Sequence, residues 1–300
     1  MKSWNNIAPS EECVRGKNAI RAFIEKEVSK VKPNPEKTRI NFTLGDPAGY
    51  SEFRVDKQIC GLLEKDFEQS VTYSDMRGPK DSREYVAKMY SNNNWKLTAD
   101  DVFLTMGGSS AMWFLLNVLA NPGDSILVPQ PGFPLIFALS QNRNINTVCY
   151  KLENTPDAEI DLSDVEAKII EHKPKFLLVN NPSNPLGTVW SEDHVKAILK
   201  LADKYKVPVV SDEMYEKMVY PGRKACSFGA LSEGQPVFVF SGLSKMCLAP
   251  GWRCGWVVCY GKQELIKEVK QGLTTMSSIY NHPNKIASLK IATVFDNSFQ

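Results

Sequence analysis

Apolar residues recur at helical spacing early in the chain. Ile20, Phe23, Ile24 and Val28 lie on one face of a helix that Pro33 and Pro35 must end. A proline- and asparagine-rich linker then leads to LGDPAGY, residues 44–50, which predicts a turn. Beyond Val71 short apolar runs alternate with segments that suit helices: DVFLT, SILVP, INTVCY, KFLLVN, VPVVSD and PVFVFS read as strands. FLLVN, VPVV and VFVF are apolar without a break, the pattern of strands covered by helices on both faces. The chain therefore predicts an α/β fold with a mostly parallel sheet, in which ligands bind beyond the carboxyl ends of the strands. The last stretch, NKIASLKIATVFDNSFQ, opens a helical pattern without an evident closing element, so the architecture is expected to stop part-way.

A length of 300 residues fits one large domain or two, at roughly 150 residues per domain. Thirty-six basic against 34 acidic residues leave a net charge of +2, too balanced for nucleic acid or an anionic membrane surface. A small-molecule ligand is expected instead. The seven cysteines are odd in number, scattered and never spaced as CxxC, so they predict reduced thiols rather than a disulfide framework or a zinc site. MKSWNNIAPSEECVRG lacks an apolar signal core, and no apolar run approaches the ~18 residues of a membrane span. A cytoplasmic protein is the simplest expectation.

Four segments at predicted strand ends carry the chemistry. In TMGGSSAMWFLLNVLA a strand passes through Gly107 and Gly108 into a helix beginning near Ser109, whose amides and hydroxyls either cap a tight turn or hold a phosphate. FLLVNNPSNPLG crowds Asn180, Asn181 and Asn184 among prolines, a fixed backbone that can hold amide side chains in a pocket. VPVVSDEMY sets Asp212 at the end of a buried strand with Tyr215 three residues on; the carboxylate either caps a turn or holds a protonated ring nitrogen. VFVFSGLSK delivers Lys245 to the same edge in a loop, either as a solvated charge or as a partly buried amine. Burial and a neighbouring cation such as Arg253 would then favour the neutral, nucleophilic form. A phosphate cradle, an amide, a carboxylate with a phenol and a lysine with an arginine together match pyridoxal phosphate.

LANPGDSILVPQPGF, FLLVNNPSNPLGTVW, SDEMYEKMVY and SGLSKMCLAPGWRCGW stand in the order and approximate spacing of one family. From about Asn41 to Tyr260 the chain resembles the fold-type-I pyridoxal-phosphate aminotransferases, most closely the tyrosine aminotransferases. The resemblance implies an aspartate-aminotransferase-like large domain at 51–282, after an N-terminal arm and linker at 1–50. It also implies that 283–300 begins a C-terminal small domain, largely absent here, which relatives extend for roughly another hundred residues.

The resemblance further implies pyridoxal 5′-phosphate as cofactor, with Lys245 forming the internal aldimine and then moving the substrate's Cα proton. Asp212 would keep the pyridine nitrogen protonated, Tyr215 and Asn184 would hydrogen-bond the phenolic oxygen, and Phe133 would stack on the ring. Gly108, Ser109, Ser110 and Arg253 would hold the phosphate, and Tyr73 would reach that of a neighbouring subunit in a homodimer. Gly45 would lie near the substrate carboxylate. The chain departs from the family at Gly242, where many relatives carry serine, and in the loop RGPKDSRE, which lacks the usual glycine-rich form. Nothing after Tyr280 matches the arginine that grips the substrate carboxylate. The activity implied is transamination between a tyrosine-like aromatic amino acid and a 2-oxo acid. A β-lyase, another amino-acid aminotransferase, or a cofactor-binding protein without turnover remain open alternatives.

Overall fold

The runs read as strands assemble into one sheet. A computed structural model describes residues 9–16, 19–38, 40, 45–54, 70–281 and 283–298. Its strands are β1 (Val102–Thr105), β2 (Ser125–Gln130), β3 (Asn146–Lys151), β4 (Leu177–Asn180), β5 (Val209–Asp212), β6 (Val237–Gly242) and β7 (Gly255–Tyr260). Hydrogen bonds order them β1-β7-β6-β5-β4-β2-β3. Parallel pairing links β3, β2, β4, β5 and β6, whereas β7 runs antiparallel to both β6 and β1.

The six expected strands are all present, and β7 is an addition. GWVVCY follows the Pro-Gly-Trp turn so closely that the turn motif masks the strand in the sequence. Its register with β6, Val237 against Tyr260 and Gly242 against Gly255, makes residues 243–254 the connection between two antiparallel neighbours. Lys245 and Arg253 both lie in that connection.

Helices cover both faces, which is why the central strands carry no polar alternation. In chain order they are α1 (Glu11–Arg15), α2 (Ala19–Glu27), α3 (Lys80–Tyr90), α4 (Gly108–Leu119), α5 (Leu135–Asn142), α6 (Leu162–His172), α7 (Glu192–Tyr205), α8 (Phe228–Leu231), α9 (Leu243–Met246), α10 (Gln263–Tyr280), α11 (Lys285–Leu289) and α12 (Ile291–Ser298). On one face Val179, Val209, Val239 and Trp256 pack against α3, α6, α7, α8 and α11. On the other, Val128, Val210, Phe240 and Val257 pack against α4, α5 and α10. Each fully buried side chain of this size contributes about 1.5–3 kcal/mol, so the two layers fix the sheet firmly.

RGPKDSRE, expected as a loop, is helical from Lys80, because Pro79 sits at the N-cap of α3 and does not interrupt it. Arg83 turns inward there, donating to the carbonyls of Gly78 (3.0 Å) and Ala99 (2.5 Å) and to Asp75 Oδ2 (3.1 Å). The described cysteines are free thiols, as expected. No helix among the described residues is long and apolar enough to cross a membrane.

Candidate active site

Register along the parallel strands sets Asn180 beside Asp212 and Asp212 beside Phe240, a row at the carboxyl ends of β4, β5 and β6. A cavity of about 220 Å³ opens over this row. Gly108, Ser109, Phe133, Asn184, Asp212, Tyr215, Lys245 and Arg253 all line it, so eight residues singled out from five separate stretches of sequence converge.

Asp212 is 5 % exposed. Its Oδ1 accepts the Met214 N–H at 3.1 Å, so the carboxylate does cap the next turn; among the described residues no salt bridge reaches it. Burial pushes its pKa up to about 7. A buried acid with no cation beside it favours the neutral form until a positive charge arrives. The Asn184 amide donates to the Tyr215 hydroxyl at 3.3 Å. Burial, and secondarily the Asp212 carboxylate, raise the Tyr215 pKa.

Lys245 stands on the single turn α9 rather than in a loop, because residues 243–246 coil directly off the end of β6. Its Nζ donates to the Gly45 carbonyl, and a methyl group on Gly45 would lie 2.9 Å from that nitrogen. The lysine pKa is lowered, as expected, by one of the two expected causes. Burial is the cause, opposed by the Asp46 carboxylate, and Arg253 takes no part. The guanidinium of Arg253 is engaged elsewhere: it donates to the carbonyls of Pro250 and Met106, both at 2.8 Å.

Glycine at 107 makes room for that guanidinium, since a Cβ there would lie 2.6 Å from Arg253 Nη2, and its φ of +84° suits glycine. Arg253 holds the left-handed region itself, at φ 49°, a local cost of about 1–2 kcal/mol. Helix α4 starts at Gly108, beside the cavity, with Ser109 exposed. The Ser110 hydroxyl turns away and donates to the Gly107 carbonyl at 3.0 Å. Tyr73 is 79 % exposed and lies outside the cavity lining.

Asn180, one of the three asparagines expected to hold amides in a pocket, does not line the cavity but joins these loops. Asn180 Oδ1 accepts the Asn184 N–H at 2.5 Å while its Nδ2 donates to the Asp212 carbonyl at 3.1 Å. An asparagine at the last position of a continuously apolar strand suits that joining role, because its amide can satisfy the backbone groups where the ladder ends. Met214 and Ser244 also line the cavity without having been singled out.

The family model for aminotransferase class I and II matches residues 37–299. The chain belongs to that family. It is 38% identical over 278 residues to tyrosine aminotransferase of Mus musculus, a match covering 91% of this chain and 60% of that relative. Against tyrosine aminotransferase of Dictyostelium discoideum the identity is 32% over 299 residues, 98% of this chain and 71% of the relative. Alanine aminotransferase from Pyrococcus furiosus superposes with a TM-score of 0.86 at 29% identity, over 96% of this chain and 72% of that one. The chain thus spans about three fifths of the length of its mammalian relatives. Class I and II aminotransferases use pyridoxal 5′-phosphate.

Proposed function

We propose that this chain carries the pyridoxal-phosphate site of an aminotransferase that passes an amino group from a tyrosine-like aromatic amino acid to a 2-oxo acid. One observation carries most of the weight: a desolvated amine, Lys245, and a desolvated acid, Asp212, face a single cavity from the ends of adjacent strands. The residues present fit the cofactor. Asp212 lacks a cation, and a protonated pyridine nitrogen is one. Ser109, the start of α4 and the guanidinium of Arg253 offer donors on one side, where a phosphate fits. Phe133 lines another wall with a flat apolar surface suited to a ring.

Bound there, pyridoxal phosphate supplies a carbonyl for amine exchange and a ring that takes up the electrons left when a proton leaves Cα. The protein's part is to place groups and move protons. Lys245, its ammonium disfavoured by burial, would take the proton from the amino acid's Cα and return it two bonds away, on the far side of the amino nitrogen. Asp212 gains a cationic partner and stays ionised, which holds the ring nitrogen protonated. Tyr215 and Asn184 hold the phenolic oxygen through their joined hydroxyl and amide. Gly45, within reach of Lys245, leaves space for the substrate carboxylate. We assign residues 1–50 to an arm and linker, 51–282 to the large domain and 283–300 to the start of a small one. Tyr73 and Ser110 belong to the phosphate side in a cytoplasmic homodimer, Tyr73 reaching across to the second copy.

Purified chain loaded with pyridoxal phosphate should be yellow, and borohydride should fix the cofactor on the peptide containing Lys245. Lys245→Ala should abolish that attachment and lower amino transfer by at least roughly 10⁴-fold, since nucleophile and proton carrier vanish together. Attachment that survives in the variant removes Lys245 from its role. Tyrosine should bleach the yellow band and a 2-oxo acid restore it; release of pyruvate and ammonia from a cysteine conjugate without such restoration would mark a β-lyase.

A further inference from the structure

The segment 211–216 has two sides. Asp212 and Tyr215 line the cavity, while Glu213 and Glu216 make their contacts in the opposite layer, with α3 and the start of α8. Glu213 is completely buried. Its Oε1 accepts from the Ser211 hydroxyl and from the Phe228 amide, both at 2.9 Å. Its own amide donates to the Phe240 carbonyl at 3.0 Å, and its carbonyl accepts from Ser241 Oγ and the Glu216 amide, both at 3.1 Å. Glu216 Oε1 accepts from the Tyr90 hydroxyl at 3.0 Å, and the Tyr260 hydroxyl in turn donates to the Tyr90 carbonyl at 2.8 Å. The buried Oε2 of Glu213 has no hydrogen-bond partner among the described residues.

We propose that Glu213 is a positioning residue of the candidate site, its buried carboxyl anchoring the segment that presents Asp212 and Tyr215 to the cavity. The role at the cofactor rests on the pyridoxal-phosphate reading of that cavity; the anchoring does not. One carboxyl oxygen ties the residue before Asp212 to a helix start fifteen residues after Glu213, and the main chain of Glu213 is tied to β6 on both sides. Asp212 is therefore held between two fixed neighbours.

The titratable groups facing Glu213 are Glu216 on its own turn, Tyr90 from α3, Tyr260 from β7 and Cys226 ahead of α8, none of them cationic near neutral pH. Burial, and then the Glu216 charge, push Glu213 up to about 8. The neutral acid is therefore the form that anchors the turn at neutral pH, and its proton turns the orphaned Oε2 from an acceptor into a donor. Glutamine reproduces that pattern, with a carbonyl for Ser211 and Phe228 and an amide in place of the O–H. Leucine fills the space but leaves the Phe228 N–H without its acceptor.

The test compares the full chain with Glu213→Gln and Glu213→Leu. Three quantities are read: amide hydrogen exchange across 209–216 without cofactor, the Kd for pyridoxal phosphate, and the pH midpoint of the bound cofactor's visible band. Glu213→Gln should stay within about threefold of the parent in exchange and Kd and keep the midpoint. Glu213→Leu should quicken exchange and weaken binding by about tenfold or more, the cost of a buried hydrogen bond, and shift the midpoint. Should the leucine variant not fold, Ser211→Ala removes one of the two donors and should give the same changes at smaller size. A leucine variant indistinguishable from the parent overturns the proposal, and so does a glutamine variant that fails as the leucine one does. A parent chain that binds no pyridoxal phosphate while leucine still quickens exchange rejects the cofactor reading and upholds the anchoring.

Discussion

A large hollow, about 610 Å³, opens where β6 begins and has Lys196, Lys200, Lys206 and Lys262 in its lining. A smaller one, about 220 Å³, lies where β6 ends and holds Lys245. At the larger, Lys196 pairs with Glu192 at 2.6 Å and Lys206 with Asp203 at 2.8 Å, all four side chains at least half exposed. Water solvates those charges and screens each pair, so they contribute little. At the smaller, burial lowers the Lys245 pKa and lifts that of Asp212. Chemistry tracks desolvation here, and volume is a poor guide to it.

The comparison breaks most readily at Asp212. If the small cavity is built to receive a cation, Asp212→Asn should weaken pyridoxal phosphate binding by roughly 10- to 100-fold. That is the worth of one charge-assisted hydrogen bond, about 1.5–3 kcal/mol. A titration of the visible band measures it. An unchanged Kd would mean that Asp212 only caps the turn through the Met214 amide.

A smaller effect follows from the same acid without cofactor. Its pKa in the fold, about 7, lies above the usual 3.8, so the folded chain binds the proton more tightly than the unfolded one. Stability from this group is then complete below about pH 4 and is lost as pH rises through about 7, at roughly 1 kcal/mol per pH unit. Glu213 and Glu216, pushed up to about 8 and about 7, add slopes of the same sign. Thermal unfolding of the cofactor-free chain at pH 5 and pH 8 should show the loss, and Asp212→Asn should flatten its share. Equal slopes in parent and variant would remove the desolvation on which the contrast between the hollows is based.

Much of this was legible in the sequence. Continuously apolar runs located six of the seven strands, and the residues that end or follow them located eight members of the cavity wall. What escaped has physical causes. β7 hides because a turn motif precedes it directly. Burial of Lys245 was legible, but the share expected of Arg253 is absent, because spacing along the chain does not say where a guanidinium points, and Arg253 points at two carbonyls. Ser110 was legible as a helix-start hydroxyl but not as one already satisfied by the Gly107 carbonyl. Glu213 was invisible because an acid beside a catalytic motif reads as part of the site, and only the packing turns it into the opposite layer.

The smallest effect is expected at the larger hollow, and it sharpens the contrast most simply. Lys200→Ser and Lys262→Ser remove two ammonium groups from that lining, neither of which forms a salt bridge among the described residues. Solvated charges with no buried partner are worth within about 0.5 kcal/mol either way. Both variants should therefore unfold within about 2 °C of the parent and bind pyridoxal phosphate with a Kd changed less than twofold. A tenfold weakening would mean that the far end of β6 reaches the cavity electrostatically. Because exposed charges are screened over about 8 Å at physiological salt, raising the ionic strength should erase such an effect, whereas it should leave that of Asp212→Asn largely in place.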